Sequence, residues 1–78
     1  MNKATLIERI AELDSVPSKA EAGRILSLIT DTITEEIVAG NEVNISGFGK
    51  FYNFTRSNGA KAAKFRASAA LKRAVVGE

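Results

Sequence analysis

Side chains that do covalent chemistry at neutral pH are scarce in this chain. It has no Cys and no His, which removes disulfides, thiolate metal sites and the commonest general base. Ser15, Ser18 and Ser46 have no base to activate a hydroxyl, so nucleophilic catalysis has no candidate. Asp31, Glu35 and Glu36 fall together on one helical segment, yet carboxylates in such a setting are ordinarily solvating groups, and no metal is expected there. Gly47 and Gly49 do not form a phosphate cradle, because no helix begins after them. The expectation is a protein that is not an enzyme and has no cofactor and no small-molecule substrate.

Cations are what remain. Arg56, Lys61, Lys64 and Arg66 crowd into one short segment, with Lys3 and Lys72 near the two ends. Several cations on one face suit a polyanion, because each neutralised phosphate releases counterions. The net charge of +2 hides a division: residues 1–49 carry four basic and eight acidic groups, residues 50–78 seven basic and one acidic. That pattern describes an acidic support carrying a basic working surface; the plain alternative is a charged face that only keeps the chain in solution. Tyr52 and Phe54 alternate with Arg56, placed to stack on sugars or bases, to pack on a partner, or to cover the edge of the last helix.

These residues need positioning elements. Leu6, Ile7, Ile10 and Leu13 recur at helical spacing and predict a helix over Lys3–Leu13, capped by Asn2 and ended before Pro17. Ser18 and Glu21 have the spacing of a capping box for a second helix, Lys19–Ala39, with Gly40 as a left-handed stop. Its wide apolar stripe, with Ile29, Ile33 and Ile37, is more than one short helix and a small sheet can cover. The period then changes to two. Strands are predicted at Val43–Ile45, Lys50–Arg56 and Lys61–Arg66, with a turn at Gly47-Phe48-Gly49 and a tight hairpin at Asn58-Gly59. Ser68 caps a last helix, Ala69–Val76, with Leu71 and Val75 inward. The fold class is therefore α+β: two helices, a three-stranded antiparallel sheet, one helix. It is a single domain over 1–78, with a helical half at 1–40 and a basic half at 41–78. A core this small rarely stabilises a chain by itself, and association of copies is the reinforcement left. Hydrophobic residues at 45% and charged residues at 26% are the proportions of a globular chain, no run is long enough to span a membrane, and the start does not read as a signal peptide. The expected location is cytoplasmic.

Met1-Asn2-Lys3 with Leu6-Ile7, Ile45-Ser46-Gly47-Phe48-Gly49-Lys50-Phe51, and Lys64-Phe65-Arg66 through Ala70-Leu71-Lys72 resemble the bacterial HU/integration host factor family. The resemblance implies an intertwined homodimer that binds duplex DNA with little sequence preference, as a nucleoid-associated protein. It also implies Phe48, Phe51 and Phe65 as a shared aromatic core. That family has a long basic arm with a tip Pro that wedges between base steps. Here Arg56 and Lys61 are separated only by Ser57-Asn58-Gly59-Ala60, the sole Pro is Pro17, and Ser68-Ala69 replaces the Gly-Lys pair that usually opens the last helix. Duplex binding with little bending is the expectation, through Lys3, Arg56, Lys61, Lys64, Arg66 and Lys72. The other reading is an interaction module that pairs with a full-length HU-type subunit and blunts it.

Overall fold

The N-terminal helix begins where Asn2 turns its side chain back on the chain. Its carbonyl oxygen accepts the Thr5 N–H at 3.0 Å and the Thr5 hydroxyl at 3.1 Å, satisfying donors that a helix start leaves open. In the computed structural model, which describes residues 1–77, this helix is α1 (Lys3–Ala11), followed by α2 (Lys19–Val38), β1 (Val43–Ile45), β2 (Gly49–Thr55), β3 (Lys61–Ala67) and α3 (Ala69–Val76). The strands form one antiparallel sheet in the order β1-β2-β3. The α+β class and the element order are those expected.

The boundaries carry corrections. The first helix stops at Ala11, not Leu13: the Leu13 N–H reaches only to the Ile10 carbonyl, three residues back, and the Val16 N–H to Leu13. The chain tightens into turns before Pro17. At the start of α2, Ser18 Oγ accepts the Glu21 N–H at 3.1 Å. The reciprocal half of the capping box is missing because the Glu21 carboxylate pairs with Arg24 instead. The helix ends at Val38, one residue early, through two bonds: the Asn41 N–H to the Glu36 carbonyl at 2.9 Å and the Gly40 N–H to Ile37 at 3.0 Å. With Gly40 at φ +86°, this is a Schellman stop, which requires a left-handed residue at that position.

Two compact units divide within α2, Met1–Thr32 and Ile33–Glu78. In the first, Ala22 of α2 is completely buried, and a Cβ added at the neighbouring Gly23 would stand 3.8 Å from the Ile7 side chain of α1. In the second, the end of α2 is tied to the sheet, because the Asn53 side-chain amide donates to the Ile37 carbonyl at 3.0 Å. The pairing register puts Phe51 opposite Phe65 and Val43 opposite Phe51. That face also takes Phe48 from the preceding turn. The Phe51 and Phe65 ring centroids are 4.8 Å apart, Phe48 and Phe65 5.1 Å, and Phe48 and Phe51 6.3 Å, all tilted, within the range where aromatic pairs attract.

Only one of the two glycines in the Gly47-Phe48-Gly49 turn is there for positive φ. Gly47 has φ +78°, whereas Gly49 lies in β2 without it. Gly49 is instead fixed by close approach: a Cβ there would stand 2.5 Å from the Phe65 ring and 2.6 Å from the Arg66 carbonyl. The Ser68 N–H donates to the Phe48 carbonyl at 2.9 Å, and Ser68 Oγ caps α3 by accepting from Leu71 at 3.0 Å. Leu71 is half-buried, but Val75, expected to face inward, is 76% exposed. Ala22 is the only buried hydrophobic side chain among the described residues.

Candidate nucleic-acid interface

Strand alternation gives β2 and β3 two chemically different faces. Opposite the phenylalanine cluster, Lys50 pairs with Arg66, Tyr52 with Lys64, and Phe54 with Ala62, while Asn44 of β1 stands across from Lys50. Three cations and two aromatic rings thus share one face. Lys64 Nζ lies 4.4 Å from the Phe54 ring centroid and Lys50 Nζ 5.6 Å from that of Tyr52, both within cation–π range. Lys50 is also held by Glu42 at 3.4 Å. Lys64 and Arg66 are exposed and have no acidic partner among the described residues. Exposed cations of this kind can take the place of the counterions condensed on a polyanion.

The other expected contact residues are distributed differently. Lys61 pairs with Thr55, and its parity puts it on the side of Phe51 and Phe65, away from Lys64 and Arg66. Arg56 lies just beyond the end of β2 and closes the hairpin loop; its N–H donates to the Ala60 carbonyl at 2.7 Å and its carbonyl accepts from Gly59 at 2.9 Å. Lys72 sits on α3, and Lys3 opens α1 in the first unit. Of the helical residues expected at a dimer core, Ile29 is 47% exposed and Ile33 and Ile37 are half-buried. Lys50 is the residue that the sequence expectation omits, although its even-numbered phase with Tyr52 and Phe54 is the signal that places it on this face.

The hairpin also differs in type. Asn58-Gly59 predicts a tight hairpin built on two residues that tolerate positive φ. Only Gly59 has it, at +87°, and the Gly59-to-Arg56 bond closes a turn around Ser57 and Asn58. Asn58 Oδ1 accepts the Ala60 N–H at 3.0 Å. This is a three-residue loop ending in a left-handed glycine, the next commonest hairpin after the two-residue kind. Among the described residues no cluster of acidic side chains is arranged to hold a metal ion, and no helix is long and apolar enough to cross a membrane.

A family model described as bacterial DNA-binding protein matches residues 1–60. The chain belongs to the HU/integration host factor family. It is 39% identical to DNA-binding protein HU-beta of Salmonella typhimurium, over 96% of this chain and 99% of that one. It is 37% identical to HU-beta of Neisseria meningitidis serogroup A, over 96% and 100%. Among solved structures, a mutant HU from Thermotoga maritima aligns with a TM-score of 0.81 at 39% identity, covering 96% of this chain and 99% of that one. The Anabaena HU–DNA cocrystal structure aligns with a TM-score of 0.84 at 25% identity, covering both chains completely. The Salmonella alignment runs over 90 positions although this chain has 78 residues. HU-beta therefore has residues for which this chain has no counterpart, and the family model's match ends at residue 60, where the short hairpin loop closes.

Proposed function

We infer that this chain acts as a dimer that binds duplex DNA without sequence preference, as a nucleoid-associated architectural protein and not as a catalyst. The observation that carries this reading is the gathering of Lys50, Lys64 and Arg66 on one sheet face in a chain of the HU family. Relatives are named DNA-binding proteins and one structural neighbour is a DNA cocrystal. Phosphate contacts of this kind position a protein on DNA and carry no base information. Arg56, Lys61, Lys72 and Lys3 add charge from the loop, the opposite face, α3 and α1. Bending is slight in this reading. A three-residue loop without Pro has no wedge to unstack a base step.

A salt-titrated binding measurement on a random duplex tests it. With four to six phosphates neutralised per dimer, log K falls against log salt with a slope of about −4 to −5, and shuffling the duplex sequence changes little. Fluorescence transfer between labelled duplex ends stays nearly constant on saturation. A wild-type protein that shows no salt-dependent duplex binding but captures an HU-type subunit would replace this reading with that of an interaction module.

A further inference from the structure

Asn58-Gly59 is the one place in the chain where an asparagine precedes a glycine. Asparagine is a thermolabile residue, because the amide nitrogen of the next residue can attack its side-chain carbonyl carbon. A glycine in that place has no Cβ to cover the nitrogen. The other asparagines precede Lys3, Glu42, Ile45 and Phe54, whose side chains do cover it. Residues 54–61 are all exposed, so solvent hydroxide reaches the loop.

Two hydrogen bonds act on the reacting atoms in opposite senses. The Ala60 N–H donates to Asn58 Oδ1 at 3.0 Å. Negative charge develops on that oxygen when the carbon is attacked, and a donor so placed stabilises it. The Gly59 N–H donates to the Arg56 carbonyl at 2.9 Å and must leave that bond before its nitrogen can attack. Arg56 and Lys61, the charged residues on either side of the loop, are both cations, which favour the deprotonated amide.

We propose that Asn58 is a self-modifying site, held by the Gly59–Arg56 bond and deamidated when that bond opens. Hydroxide takes the Gly59 amide proton, the nitrogen attacks Asn58 Cγ, and the Cγ–Nδ2 bond breaks. Nδ2 leaves as ammonia with a proton from water, and the chain is left with a cyclic imide. Water opens the imide on one side to aspartate or on the other to isoaspartate, with no oxidant or reductant involved. Either product puts a carboxylate between Arg56 and Lys61 and lowers the net charge of each copy by one, from +2 to +1. The effect of that charge on DNA rests on the duplex reading; the chemistry does not.

Trypsin cuts after Arg56 and Lys61, so residues 57–61 come away as their own fragment, while Asn53 falls in 51–56 and Asn41 with Asn44 in 25–50. After the full chain is kept folded in warm, mildly alkaline buffer, mass spectrometry should find the gain of an amide-to-acid exchange in fragment 57–61 and not in the other two. In denaturant that fragment should react about 2- to 13-fold faster, the factor that one lost hydrogen bond is worth. Asn58→Asp, the direct product, should bind duplex about 1.5- to 5-fold more weakly, since its carboxylate engages cations as an exposed ion pair does. The proposal is overturned if fragment 57–61 reacts only in denaturant, if it reacts no faster there than in the folded chain, or if the other asparagines react alongside it. Duplex binding by Asn58→Asp equal to that of the wild type would overturn the effect assigned to the new charge. Mass gain at Asn58 in a wild type that binds no duplex would support the modification and remove the duplex reading.

Discussion

Gly49 shows how one residue couples the sheet to the aromatic cluster. Its hydrogen is all that fits between the β2 backbone and the Phe65 ring, since a Cβ would stand 2.5 Å away and backbone oxygen blocks the remaining side at 2.6 Å. A ring can shift, but the Arg66 carbonyl belongs to the β3 ladder. Gly49→Ala should therefore cost about 1–3 kcal/mol, as overpacking generally does, seen as a lower melting temperature. Gly47→Ala has open space around it and meets only the left-handed penalty of about 1–2 kcal/mol. The sequence identifies both as turn glycines because type and spacing are the same for either role. The difference lies in the register that brings Phe65 across from Phe51, and register is a long-range fact. The Ser68 cap is legible for the opposite reason, since it involves only Leu71, three residues on.

The hairpin of β2 and β3 sorts its charges by parity. Read by their nearness in sequence, Arg56, Lys61, Lys64 and Arg66 make one patch. Alternation along β3 puts Lys61 on the face opposite Lys64 and Arg66, and the three-residue loop sets it across from Thr55. This predicts unequal effects on duplex binding. Lys64→Glu with Arg66→Glu should weaken binding strongly and flatten the salt slope by about 0.9 for each phosphate no longer neutralised. Lys61→Glu should change the slope less. All three side chains are exposed, so folding should be little affected by either change. Equal slopes for the two variants would show that the binding surface is not confined to this face. Helix starts, strand phases and the positions of turns are readable from local pattern. The loop type is not, because Asn58-Gly59 fits both the two-residue and the three-residue geometry.

At the scale of the molecule, the missing quantity is a core. Ala22 is the only hydrophobic side chain fully buried among the described residues, while Leu28 at 68%, Val38 at 78% and Val75 at 76% remain largely exposed, as do parts of Phe48 and Phe65. Burying a side chain of that size contributes about 1.5–3 kcal/mol, and a domain's whole stability is only about 5–15 kcal/mol. A few such groups left in water decide whether the chain folds. A second copy supplies the cover in the dimer reading. Light scattering should give twice the chain mass at micromolar concentration, and the melting temperature should rise with concentration. Ile33→Lys should unfold the chain and not release a folded monomer, because Ile33 is already half-buried. A folded monomer in dilute solution would refute this. The need for association is legible from composition, since no Cys or His is available as reinforcement. Val75 reads as an inward residue because periodicity marks an apolar face without saying which chain covers it.

The order β1-β2-β3 also leaves the outer side of β3 without a neighbouring strand among the described residues. Seven residues long, such a strand is a template on which another polypeptide can add itself, and repeated addition leads to fibres. Lys61, Lys64 and Arg66 lie along it. Whatever else they bind, they repel a like-charged copy from both sides of the strand, so the division of charge between faces also guards the sheet against aggregation.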